Sequence, residues 1–215
     1  MLDHLSKIFR SQKTLWISFI VAIVSTCYLF LRNIVFQNKD FGDWCDTAYF
    51  SVLVIIYLAI ILYTFTKHNE NSMKPATGML LGVITFQAVS AFVYNIVDPD
   101  VFKQYLTAGA SGYISLALDS MQFLFALVFC FNHIAISSGH QSNARNAKLN
   151  VLLCLLLLID YILQVVVSAF IFSVEKVIYY VAFYLVLFMA LCTVVSVEVK
   201  LDYFRCLRAQ NSEKN

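Results

Sequence analysis

The clearest candidates for chemistry in this 215-residue chain are Asp119 and Asp160. Each interrupts a long apolar run, SLALDSMQFLF around the first and LLLLIDYILQV around the second. An ionisable side chain in that setting is costly, and where one persists it tends to bind or move something charged. Three glutamines, Gln87, Gln122 and Gln164, accompany the two acids. Asp119 and Gln122 are spaced i, i+3, and Asp160 and Gln164 i, i+4, so each pair shares one helix face. No lysine or arginine falls among them. Arg32 lies four residues from the end of its run, close enough to snorkel to water. The carboxyls therefore either carry protons or sit against a bound proton, metal cation or ammonium group. Glutamine and protonated aspartate also serve as interhelical glue worth about 1 kcal/mol or less per contact. Two acids at one level favour a ligand or ion site built from Asp119, Gln122, Asp160, Gln164 and Gln87.

The elements that carry these residues are apolar helices. The composition is 60% hydrophobic and 13% charged, against about a quarter charged for a soluble domain, too little charge to cover a water-facing surface. Spanning a bilayer takes about 20 mainly apolar residues. Six runs qualify: 14–36, 47–66, 76–97, 111–137, 149–173 and 177–199. In lipid each backbone group must be paired within its own segment, so these runs are helices. The expected fold is all-α, a polytopic integral membrane protein folded as a six-transmembrane-helix bundle, with residues 1–215 forming one membrane domain. Counted from the outer ends of the runs, the five polar residues fall within a slab roughly 8 Å thick. That layer sits between the third, fourth and fifth helices, just outside the midplane.

Orientation follows from the basic residues. Lys7, Arg10, Lys13, Lys67, Lys74, Arg145, Lys148, Lys200, Arg205, Arg208 and Lys214 fall on one side, and Lys39, Lys103 and Lys176 on the other. Eleven against three places both termini in the cytoplasm. Trp16 and Trp44 mark opposite boundaries. The outer loops are acidic, with Asp40, Asp43, Asp46, Asp98, Asp100 and Glu175, as positive-inside topology leaves them. The first ten residues read as a short interfacial helix with Leu2, Leu5 and Phe9 on one face. The sixth helix reads on into the cytosol through Leu201, Phe204 and Leu207. Ser18, Ala22 and Thr26 make a small-residue face on the first helix, suited to close docking inside the bundle or on a partner. Asn132 and His133, near the inner end of the fourth helix, read as interfacial hydrogen-bonding groups.

Several function classes are disfavoured. A net charge of +2 gives no footprint for nucleic acid. The six cysteines form no CxxC pair and no external framework, so neither a disulfide scaffold nor a metal site is assigned. Gly109-Ala110-Ser111-Gly112 resembles the serine turn of rhomboid intramembrane proteases. A serine nucleophile needs a base within hydrogen-bond reach, however; the sixth run has no histidine, and His133 is at the far end of its own span. Asp119 and Asp160 stand in neither the YD nor the GxGD context of intramembrane aspartyl proteases. No catalytic residue and no cofactor is assigned.

The expectation is a transport component for a small molecule or a cation, seated in the bilayer with a membrane or cytoplasmic protein partner. In size and topology the layout is similar to the substrate-capture subunits of energy-coupling-factor transporters. The alternative is a sensory or regulatory membrane module acting through a separate cytoplasmic partner docked on the tail after residue 200.

Overall fold

The computed structural model describes residues 2–36, 48–59, 74–138, 144–171 and 174–212. Every element among them is helical: α1 (Leu2–Arg10), α2 (Gln12–Phe36), α3 (Ala48–Ala59), α4 (Lys74–Val97), α5 (Pro99–Thr107), α6 (Ala110–Ser138), α7 (Ala144–Ile171) and α8 (Val174–Ser212). The second apolar run is described only over 48–59, and the outer loop holding Trp44 and the first three loop aspartates lies outside the described residues.

Among the described residues, four helical stretches are long and apolar enough to cross a membrane: Lys13–Arg32, Ala110–Ile136, Lys148–Ile171 and Val177–Val199. Ala48–Ala59 and Thr77–Val89 are shorter apolar stretches.

α8 is the central helix. It packs against α2, α7, α4 and α1, and 61% of its apolar window is buried, against 28% for α6. From Ala190 to Val199 every residue is buried, so this segment is enclosed on all sides. Such a segment cannot be amphipathic. Ala190, Cys192, Thr193 and Ser196 keep it thin enough for close approach. Facing it, α2 presents Ser18, Ala22 and Thr26, all buried, with the Thr26 hydroxyl donating to the Ala22 carbonyl at 2.7 Å. The small-residue face of the first helix is thus an internal seam.

The opposite faces stay apolar. α2 exposes Ile17, Ile20, Val24, Tyr28 and Leu31, α6 exposes Leu124, Val128 and Phe131, and α7 exposes Ile159, Ile162, Val166 and Phe170. Contiguous apolar stripes of this length are foreign to the surface of a soluble monomer.

Two short helices flank the bundle. α1 lies on α8, α7 and α2, with Phe9 buried in the core. α5 is a helix where an outer loop is expected. Pro99 supplies the fixed φ suited to a first helical position, and the turn closes through the Phe102 amide donating to the Asp98 carbonyl. Gly109, at φ +62°, ends it and lets the chain turn into α6.

Candidate functional site

α6 and α7 run antiparallel, in an alignment fixed at two places. Asp119 meets Gln164 near one end and Asn132 meets Asn150 near the other, so thirteen positions forward on α6 match fourteen back on α7. Polar residues on these two helices therefore face each other in two layers, called outer at the α5 end and inner at the opposite end after the sequence-based orientation.

The outer layer is centred on Asp119. Its Oδ1 accepts the Gln164 side-chain amide at 2.5 Å, and its Oδ2 accepts the Asn95 amide of α4 at 2.8 Å. The Ser115 hydroxyl, one turn before Asp119, donates to Gln164 Oε1 at 3.2 Å. Three helices are thereby tied to one carboxyl. From outside the layer, α5 brings Tyr105, whose side chain hydrogen-bonds with Ser115; burial, and then the nearby Asp119 carboxyl, hold its phenol protonated well above the usual range.

Asp160 stands one turn from Gln164 on α7. It is 2% exposed, and neither carboxyl oxygen has a hydrogen-bond partner. It interacts electrostatically with Asp119, and Tyr184 of α8 interacts with both acids. Tyr161 stacks on Tyr184 with centroids 5.1 Å apart, so aromatic rings from α7 and α8 stand beside the carboxyls. A buried polar group left without a partner costs free energy, and a buried unpaired charge costs far more. Asp160 is therefore either protonated or completed by a cation.

Of the five sequence-derived residues, the structure bonds Asp119 to Gln164 and places Asp160 next to them. Gln122 is buried one turn deeper on α6, and Gln87 is half-buried on α4. The α4 residue that reaches Asp119 is Asn95, eight positions beyond Gln87 and so about 12 Å further along the helix axis. Counting depth from the run ends fails here because α6 begins further out than α4 ends, with α5 folded between them.

The inner layer corrects the sequence reading more deeply. His133 is turned into the bundle rather than toward its surroundings: it is buried, with Nδ1 2.5 Å from Glu198 Oε1 on α8. Glu198 is 1% exposed, and its Oε2 accepts the Asn150 amide at 2.7 Å. Asn132 in turn donates to Asn150 Oδ1 at 2.7 Å. Glu198 is thus a third acid in the interior, beside the two singled out from sequence. A depth count from the inner ends would have found it, since His133, Asn150 and Glu198 all fall within about a turn of those ends.

Between the layers, the thiols of Cys154 and Cys192 approach to 4.0 Å across α7 and α8. Among the described residues no three His, Cys, Asp or Glu side chains group in a way that could hold a metal ion.

No protein-family model, curated protein or solved structure matches this chain.

Proposed function

We propose that this chain is a six-span integral membrane protein with both termini in the cytoplasm, and that its outer polar layer binds a cation or a cationic small molecule as part of a transport system. The apolar outward faces of α2, α6 and α7 support insertion. To the four membrane-length helices among the described residues, α3 and α4 add two further crossings in this reading, each an apolar run in the sequence. The excess of basic residues on one side supports the orientation.

The observation that carries the functional reading is Asp160. Interhelical glue would leave its carboxyl bonded, as Asp119 and Glu198 are. Asp160 instead sits buried and unpartnered beside a second acid. A ligand cation supplies the missing partner, and acidic outer loops raise the local concentration of cations.

The test is thermal unfolding of the purified full-length protein across a panel of inorganic and organic cations at constant ionic strength. A midpoint rise in the wild type that disappears in Asp160→Asn supports the reading. A panel in which no cation moves the wild-type midpoint defeats it.

One observation favours a second reading. α8 continues as helix to Ser212, well past the buried stretch ending at Val199. That extension suits a sensor that engages a cytoplasmic partner. Truncation after Val199 separates the two: a carrier keeps its cation response, whereas a sensor loses its partner.

A further inference from the structure

We infer that the ligand of the outer layer is a primary organic ammonium, whose N–H groups donate to Asp160 and whose carbon body lies against the tyrosines of α7 and α8. This rests on the cation-binding reading above and narrows it to one chemical class.

The donor set argues against a metal ion. Calcium takes about six to eight oxygen ligands, and magnesium needs near-octahedral oxygen geometry. Both oxygens of Asp119 already accept amide N–H groups, from Gln164 and Asn95. The amide oxygen of Gln164, Oε1, is engaged by the Ser115 hydroxyl. The Asp160 carboxylate, two oxygens on one side chain, is buried there without a hydrogen-bond partner. Two acceptor atoms are a poor cage for a hard cation but a good match to an ammonium, which needs one carboxylate and a few directed hydrogen bonds.

The walls argue for an organic body. Tyr184 interacts electrostatically with Asp119, Asp160, Tyr161 and Tyr180. Its ring stacks on Tyr161 at 5.1 Å and on Tyr180 at 6.2 Å between centroids. With their faces stacked on one another, these rings offer a ligand apolar area beside the carboxylates rather than a free face for its charge. A carboxylate for the charged head with tyrosine rings for the body is the composition that recognises an amine. The need for N–H donation to Asp160 separates primary from quaternary ammonium.

Full-length protein in detergent is titrated with benzylammonium, tetramethylammonium, sodium, potassium and calcium chlorides at matched ionic strength, reading the unfolding midpoint. Benzylammonium is expected to raise the wild-type midpoint, and tetramethylammonium much less. Asp160→Asn, nearly isosteric, is expected to abolish the rise while remaining monodisperse. Tyr184→Phe keeps the ring and the response, whereas Tyr184→Leu, with less apolar area, weakens binding about 5-fold. A midpoint that rises with a metal ion through Asp160 but not with benzylammonium overturns the ammonium inference and leaves the cation reading standing. Equal responses to benzylammonium and tetramethylammonium overturn the N–H donation. A wild type that answers to no cation removes the inference together with the reading beneath it.

Discussion

His133 on α6 and Glu198 on α8 meet at 2.5 Å in the interior, and because Glu198 also accepts Asn150 from α7, one carboxyl ties three helices together. Removing one partner of a buried pair leaves the other uncompensated and costs about 3–5 kcal/mol, whereas replacing both with apolar side chains is far milder. Glu198→Ala and His133→Ala should each destabilise strongly, and His133→Leu/Glu198→Leu should lose much less than the two single changes together. Denaturant unfolding in a double-mutant cycle reads this directly. Independent, additive losses would mean the pair is not a unit.

Asp119 is held from two sides, by Asn95 and Gln164. Either amide removed leaves a buried carboxyl oxygen short of a donor, a loss of about 1–3 kcal/mol. Asn95→Ala and Gln164→Ala should therefore each lower the unfolding free energy by that order. Because they share one carboxyl, the double variant should fall short of the sum. Gln87→Ala, on the same helix as Asn95 but two turns away, should interact with neither substitution in the same cycle.

The all-helical class was legible because charge was scarce and the apolar runs were long, features that composition and length alone decide. The meeting of Asp119 with Gln164 was legible for a different reason: two helices joined by a short connection run antiparallel, so residues at similar depth face each other. Asn95 was not legible, because depth along α4 was measured from the end of an apolar run rather than from the helix it faces. Glu198 was hidden by its address. Two residues before Lys200, it reads as the edge of a span, and only the packing of α1, α2, α4 and α7 around α8 buries it. The signals for α5, Pro99 at the start and Gly109 at the end, were present but short, and nine residues give too weak a period to stand out from loop.

Gly112 marks a close approach that no other residue fits. A Cβ there would lie 1.8 Å from the Tyr105 carbonyl oxygen, a backbone atom of α5 that cannot swing aside. Gly112→Ala should force α5 off α6, costing about 1–3 kcal/mol or more by the measure of overpacking, and should move Tyr105 away from Ser115. Gly82, in contrast, has nothing within 4 Å of an added Cβ. Gly82→Ala should stabilise by about 0.5–1 kcal/mol through helix propensity. Paired unfolding curves check both, and a harmless Gly112→Ala would show that the α5–α6 contact is not rigid.

Orientation decides what the outer layer can do. The helix end carrying Asp119 and Ser115 is the end at which α5 docks, and the opposite end carries His133 and Asn132. If the basic residues set the topology, α5 faces outward, the layer proposed to bind a cation lies toward the exterior, and uptake is the direction to assay under that proposal. A green fluorescent protein fused at the C-terminus should then fluoresce, and alkaline phosphatase at the same place should be inactive. The same two reporters fused after Gln104 in α5, with the chain truncated there, should give the reverse. Reversal of both patterns would place α5 and Asp119 on the cytoplasmic side, and the same carboxyls would then load their ligand from inside the cell, making export the direction to assay.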